Sequence, residues 1–144
     1  MELSGKAEIN APQASIYNLL TTPSKMAGLI PGVESFSEAP DGVNMDVSIG
    51  LSFIKGKFKV KMKPVSMRSP SHAELKGSAS GAGSSIDFLA KFDIKEIDAK
   101  RSEVSWNAQV NVGGAVATFG NSMIKTAADK LVAQIIESLK KAKY

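Results

Sequence analysis

The C-terminal part of the chain carries apolar side chains at spacings of three and four. Such spacings place side chains on one face of an α-helix. After Gly113-Gly114 we predict one long amphipathic helix, about 40 Å long at 1.5 Å per residue. Its face consists of two adjacent rows, Val116, Phe119, Met123, Ala127, Leu131, Ile135, Leu139 and Ile124, Ala128, Val132, Ile136.

Upstream of this helix the apolar positions mostly alternate with polar ones. Residues 2–9 predict a first strand, and residues 10–30 predict two short helices that are separated near Thr22-Pro23 and stopped by Pro31-Gly32. From there to residue 112 a period of two is typical of strands with one apolar face. The inward rows lie within residues 43–53, 58–62, 73–79, 86–94 and 104–112.

A two-residue turn at Lys55-Gly56 would join two of these strands. All cross-strand pairs would then lie on the apolar face, so that register and pattern agree. The outward lysines would oppose only uncharged residues, namely Ser52, Gly50 and Ser48. The predicted apolar pairs are Phe53 with Phe58, Leu51 with Val60, and Ile49 with Met62.

The order of elements predicts an α+β fold in a single domain over residues 1–144. A curved antiparallel sheet of about seven strands would wrap on the long C-terminal helix, with two short helices after the first strand. The chain has 144 residues, 43% hydrophobic and 22% charged, which is ordinary for a globular protein. It has no cysteine, which excludes disulfides and thiolate chemistry. Without a leader or an 18-residue apolar run, we expect a cytoplasmic protein.

Several stretches together resemble the CoxG family, whose members are also called a subunit of carbon monoxide dehydrogenase, within the START/Bet v 1-like (SRPBCC) superfamily. They are MELSGKAEINAPQASIYNLL, IPGVESF, GLSFIKGKFKVK, GSASGAGSS and VGGAVATFGNSMIKTAADKL. The resemblance implies the helix-grip fold, a hydrophobic cavity between sheet and C-terminal helix, and ligand binding. It also implies service to a molybdenum-containing carbon monoxide dehydrogenase or related hydroxylase, as a link to the membrane or its quinones. Many relatives carry a C-terminal extension that reaches the membrane, and we expect no such anchor after Tyr144.

The candidate ligand is therefore a quinone or another lipid-like molecule, held by residues on the facing apolar surfaces. Small residues such as Gly77, Ala90 and Ala108 have two interpretations: close helix–sheet packing in a filled core, or room for a guest. The periodicity alone favours the filled core, and the resemblance favours the cavity. The predicted ligand-binding residues are Leu51, Phe58, Val60, Leu75, Phe88, Phe92, Trp106, Phe119, Met123, Ala127 and Leu131.

Catalytic and metal sites find little support among the residues. His72 is the only histidine, lies at a polar parity and is interpreted as a surface residue. The carboxylates fall at polar parities, in turns or on the outer side of the helix, where burial would not raise a pKa for acid–base work. We therefore expect no enzyme, no catalytic residue, no metal and no cofactor. The alternative is a small cyclase- or hydrolase-like enzyme that uses the same cavity.

Two surface features leave alternatives open. Lys57, Lys59, Lys61 and Lys63 share one strand face, which is either a solvated outer face or a docking stripe for anionic lipid or an acidic partner. A stripe of that kind would make the protein peripheral at the inner membrane face, or an assembly factor with a collapsed cavity. No aromatic residues interleave with these lysines, which argues against nucleic acid. The Gly/Ser-rich residues 77–85 are either a flexible connection or a mobile lip.

Overall fold

The computed structural model describes residues 1–51 and 54–142 and contains seven strands and three α-helices in the described residues. The side chain of Leu51 also lies outside the description. The strands are β1 Glu2–Ile9, β2 Val33–Ala39, β3 Gly42–Leu51, β4 Ile54–Arg68, β5 His72–Gly81, β6 Ser84–Asp98 and β7 Arg101–Gly114. The helices are α1 Gln13–Thr21, α2 Pro23–Ala27 and α3 Asn121–Lys141, and a 3₁₀ segment, Ala115–Phe119, precedes α3.

The seven strands form one curved antiparallel sheet in the order β1-β7-β6-β5-β4-β3-β2. The first and last strands, β1 and β7, pair with each other, so the sheet joins the two ends of the strand sequence. Helix α3 covers one face, which we call the inner face, and the opposite face is the outer face. The predicted α+β helix-grip fold, with two short helices after the first strand, is confirmed.

The predicted turn at Lys55-Gly56 is wrong. Both residues lie in β4, where Gly56 has a φ of 136° and pairs with Ile49. On the apolar face Val47 pairs with Phe58, Met45 with Val60 and Val43 with Met62. The register differs from the predicted one by an even number of residues, so the same side chains stay on the same face. The predicted partner Phe53 lies outside the described residues.

The C-terminal helix starts later than its apolar pattern predicts. Strand β7 runs through Gly114, and Gly114 and Gly120 have φ values of 77° and 82° with extended ψ, a region open essentially to glycine alone. Val116 and Phe119 therefore belong to the 3₁₀ segment that lies between the two glycines. Helix α3 has 21 residues, which corresponds to about 31 Å rather than 40 Å.

The Gly/Ser-rich residues 77–85 are mostly strand. Only Ala82 and Gly83 lie between β5 and β6, and Gly81 pairs with Ser84 across them. Their φ values of 51° and 73° are those of a two-residue type I′ hairpin turn. Most of this segment therefore belongs to the two strands, and the connection itself is only two residues long.

The buried apolar residues form two clusters. The first cluster joins α2, β3, β4 and the start of α3, and includes Met26, Val47, Phe58, Val116, Ile124 and Ala127. The second cluster joins α1, β1, the far ends of β6 and β7, and the end of α3, and includes Ile9, Ile16, Ile94, Val104 and Leu139. Among the described residues, Phe92 packs against both. The core is thus divided along the length of α3.

Candidate functional site

Helix α3 approaches the sheet chiefly at β1 and β3, which are not neighbours in it. Four strands, β4 to β7, lie between β1 and β3. Because the sheet is curved, a helix held near these two strands stands away from the strands between them. The middle of the inner face is therefore where space can exist under α3.

The middle of the inner face carries small residues that are not fully buried. Ala90 and Ala108 pair across β6 and β7, and both are partly exposed. Each of these strands has a neighbour on both sides, so the exposure comes from the inner face. Leu131 and Val132, in the middle of α3, are also partly exposed. Among the described residues these four belong to neither cluster, and we call the region between them, beneath α3, the central gap.

Two aromatic rings at the border of the central gap lie along the sheet. A Cβ atom on Gly77 would collide with the ring of Phe88, its partner across β5 and β6. A Cβ atom on Gly5 would collide in the same way with the indole of Trp106. The rings fill the space that the glycines leave, an arrangement that stabilises glycine in a strand. The predicted small residue Gly77 therefore adds no room for a guest.

The predicted ligand-binding residues fall into three groups. Partly exposed residues border the central gap, and these are Phe88, Phe92, Trp106 and Leu131. Fully packed residues belong to the first cluster, and these are Phe58, Val60, Leu75 and Ala127. Exposed residues lie around the start of α3, where Phe119 is 42% and Met123 is 46% exposed. The side chain of Leu51 lies outside the described residues.

The buried hydroxyl groups are engaged with the backbone. Ser102 donates a hydrogen bond from Oγ to the carbonyl oxygen of Ala11 at 2.9 Å. Ser84 accepts one at Oγ from the backbone N–H of Val116 at 3.0 Å, which fixes the 3₁₀ segment to β6. In the described residues no buried side-chain nitrogen or oxygen lacks a partner. The sequence signal for both serines was a polar residue at an inward parity, and it was missed.

His72 lies on the outer face but is not an ordinary surface residue. Its Nδ1 lies 2.7 Å from Asp93 Oδ1 and its Nε2 lies 2.7 Å from Glu74 Oε2, and the side chain is only 12% exposed. The hydrogen bonds to Glu74 and then Asp93 raise the pKa of His72. Both ring nitrogens are occupied, so neither is available to a substrate in this arrangement. No group of three or more histidine and carboxylate side chains in the described residues could hold a metal ion.

The four lysines Lys57, Lys59, Lys61 and Lys63 are exposed on the outer face. The prediction that their cross-strand neighbours supply no counter-charge is wrong, since Asp46 lies opposite Lys59 in the register of β3 and β4. Lys57 Nζ also lies 3.9 Å from Glu34 Oε1. Two shallow hollows of about 380 and 350 Å³ flank this strand on the outer face. Both are lined largely by polar and charged residues, which suits neither for an apolar guest.

Nearly the whole chain matches a known family. The model of the CoxG family, which is described as a subunit of carbon monoxide dehydrogenase, matches residues 5–143. The chain belongs to the CoxG family. No curated protein sequence matches the chain.

Solved structures place this CoxG-family chain in a wider fold group. A conserved protein from Geobacillus kaustophilus superposes with a TM-score of 0.91 at 22% identity, over 98% of this chain and 93% of that one. A START superfamily protein from Mycobacterium smegmatis gives 0.72 at 12%, over 96% and 94% of the two chains. The di-domain ARO/CYC protein BexL gives 0.69 at 11%, over 97% of this chain and 45% of BexL. The fold of this CoxG-family chain is thus START-like.

Among the described residues, no helix combines the length and apolar character that a transmembrane span requires.

Proposed function

We propose that this CoxG-family protein binds a hydrophobic small molecule in the central gap. The observation that carries the proposal is the partial exposure of Ala90, Ala108 and Leu131, which face the inside of the fold between two packed clusters. Native interiors are normally filled, so reachable small residues beneath a helix favour a site rather than a core.

The lining favours an apolar guest, such as a quinone or another isoprenoid lipid. The side chains around the central gap are aliphatic or aromatic, and the buried hydroxyl groups of the described residues, those of Ser84 and Ser102, already have backbone partners. A polar ligand would lose hydrogen bonds to water there without replacement. An apolar ligand would gain about 25 cal/mol for each Å² of apolar surface that it buries.

The family name supports a role beside a dehydrogenase. The matching family is described as a subunit of carbon monoxide dehydrogenase, and we propose that the chain serves a molybdenum-containing enzyme of that kind or a related hydroxylase. In this role it would act as a cytoplasmic accessory factor rather than as an enzyme. Contact with an anionic membrane is part of the proposal, because quinones reside in membranes.

Filling the central gap tests this function. Ala108→Leu should lower the affinity for decylubiquinone at least about tenfold, because the added methylenes occupy the space of the guest. Ala133→Leu is the matched control, since Ala133 is exposed on α3, and it should bind as the wild type does. Saturable binding would be measured by fluorescence of Trp106, and native mass spectrometry would identify any lipid retained from the host.

The same experiment can also give a result that contradicts the proposal. In a filled core Ala108→Leu would overpack the interior and lower the free energy of unfolding by about 1–3 kcal/mol. Such a loss, together with no quinone binding by the wild type, would show a collapsed cavity. The protein would then act through its surface, and charge reversal at Lys59 and Lys61 would test an acidic partner.

A small cyclase- or hydrolase-like enzyme is the second candidate, because the fold also resembles the ARO/CYC protein BexL. Such chemistry requires an ionisable group that reaches the substrate. The buried polar side chains of the described residues are two serines, and both are bonded to the backbone. A variant that binds the ligand with unchanged affinity but no longer converts it to a product would establish this alternative.

A further inference from the structure

Three segments meet at one end of the sheet, and we call this the apolar end. They are residues 54–57 at the start of β4, residues 81–85 around the β5–β6 turn, and residues 113–123 between β7 and α3. The backbone N–H of Ala115 donates to the carbonyl oxygen of Gly83 at 3.0 Å. A Cβ atom on Gly56 would lie 3.3 Å from that of Ala82. These contacts hold the three segments side by side.

The apolar end presents hydrophobic side chains to solvent from a fixed support. Val116 is 5% exposed and anchors the 3₁₀ segment through its hydrogen bond to Ser84. Ala115 and Ala117, on either side of it, are exposed. Phe119 is 42% exposed, and Met123 is 46% exposed in the first turn of α3. Exposing two large apolar side chains so close in sequence costs solubility, which marks such patches as interaction sites.

The charges carried by the three segments are all positive. The segments contain Lys55 and Lys57, both exposed, and no aspartate or glutamate. The carboxylate of Glu34 on β2 lies 3.9 Å from Lys57 Nζ, yet the lysine side chain is 82% exposed and can turn toward an anionic surface.

Another exposed apolar side chain has acidic neighbours instead of lysines. Ile97, 43% exposed, lies between the carboxylates of Glu96 and Asp98 in sequence. The combination of apolar and basic side chains at the apolar end suits a surface that is apolar beneath and anionic above. The interface of a lipid bilayer is such a surface.

We propose that the apolar end docks on an anionic lipid bilayer. Phe119 and Met123 enter the region between headgroups and acyl chains, and Lys55 and Lys57 lie at the level of the lipid phosphates. This inference rests on the membrane contact included in the proposed function and assigns it to one surface. It replaces the full lysine stripe of the outer face, where Lys59 already lies opposite the carboxylate of Asp46.

Flotation with vesicles of phosphatidylcholine and phosphatidylglycerol, 3:1, tests the docking. The wild type should partition to these vesicles and not to phosphatidylcholine alone. Phe119→Ser combined with Met123→Ser should lower the partition coefficient at least about tenfold, because two partly buried apolar side chains are lost from the interface. Met67→Ser is the control, since Met67 is 51% exposed in β4 outside the apolar end. It should change the coefficient less than about twofold.

Charge reversal separates the apolar end from the lysine stripe. Lys55→Glu with Lys57→Glu should lower partitioning at least about thirtyfold, because each of the two lost basic residues contributes roughly 1 kcal/mol near an anionic membrane. Lys61→Glu with Lys63→Glu should have a smaller effect, because these residues lie farther along β4 from the apolar end. Met123→Ser alone, which changes only one exposed side chain, keeps the test valid if the double variant unfolds.

Three results would overturn the docking. They are equal partitioning of the wild type to neutral and anionic vesicles, equal losses in Met67→Ser and Met123→Ser, and a larger loss from the Lys61 and Lys63 reversals than from Lys55 and Lys57. A concentration-dependent dimer that Met123→Ser dissociates would assign the apolar end to a second copy of the chain. Quinone binding with no vesicle binding refutes only the docking, and vesicle binding with no quinone binding refutes only the ligand site.

Discussion

The two ends of the sheet differ in the charges and the exposed side chains that they carry. The apolar end exposes Phe119 and Met123, and its three segments carry lysines and no carboxylates. At the other end, which we call the charged end, Arg101 Nη1 lies 3.0 Å from Glu8 Oε1 and Arg101 Nε lies 2.8 Å from Asp98 Oδ2. Charges of both signs are thus paired at one end, where Ile97 is also exposed, whereas the three segments of the other end combine exposed apolar side chains with positive charges only.

The charged end is organised around the β6–β7 turn. The backbone N–H of Lys100 donates to Asp98 Oδ1 at 2.8 Å. This hydrogen bond, followed by the one from the Arg101 guanidinium, lowers the pKa of Asp98. The carboxylate is therefore already satisfied within its own turn. The comparison teaches that the charged end has a structural role and that the apolar end is left available for an interaction.

The two ends of helix α3 differ in the same way. Shortening one side chain at each end should give the largest difference in the free energy of unfolding. Leu139 is 1% exposed in the second cluster, and Leu139→Ala should lower the free energy of unfolding by about 3 kcal/mol through the cavity it leaves. Met123→Ala, at 46% exposure, should change it by less than about 0.5 kcal/mol. Urea denaturation measures both. Similar losses in the two variants would mean that the start of α3 is packed as tightly as its end.

The glycine before α3 should give an intermediate change in the free energy of unfolding when it is replaced. Gly120 has a φ of 82°, and nothing lies within 4 Å of a Cβ atom placed there. Gly120→Ala should therefore destabilise the fold by about 1–2 kcal/mol through backbone strain alone. Gly50→Ala is the matched control, because its added Cβ also meets nothing within 4 Å and its backbone is not in the left-handed region. If both variants unfold at the same urea concentration, the break between the 3₁₀ segment and α3 is not conformationally fixed.

The smallest expected effect concerns pH and His72, whose strand begins near the charged end. Its pKa is raised from 6.5 in the folded state, so the stabilisation by Glu74 and Asp93 is fully present below pH 6.5. It is lost as pH rises through the folded pKa. Relative to the wild type, His72→Gln should therefore lose about 0.5–1 kcal/mol at pH 5.5 and less at pH 9. Thermal unfolding across this range measures the difference, and a gap that widens with rising pH would contradict the assigned contacts.

Alternation along the strands predicted which side chains face inward but not their partners. The β3–β4 register differed by an even number of residues, and a period of two is blind to such a shift. Only the position of the turn fixes the register. Lys55-Gly56 has turn chemistry by composition, yet Gly56 uses its positive φ of 136° within β4. Composition alone could not distinguish these two uses of glycine.

The residues of the candidate site show a similar limit of periodicity. Spacing placed Phe119 and Met123 on the apolar face of a helix, and the structure leaves both exposed around its start. Periodicity states which way a side chain points relative to its neighbours and not whether another element covers it. The position of α3 over the curved sheet decides that, and it depends on contacts across the whole chain. The packing of the Phe88 and Trp106 rings over glycines could not be predicted for the same reason.

Trp106 is the only tryptophan in the sequence, and its indole lies over Gly5 in the first strand. The pairing of β1 with β7 joins residues that are about 100 positions apart, so it closes the longest loop in the sheet. Contacts this distant in sequence slow folding, since the chain must lose most of its freedom before they form. The fluorescence emission of Trp106 therefore reports when the first and last strands pair during folding.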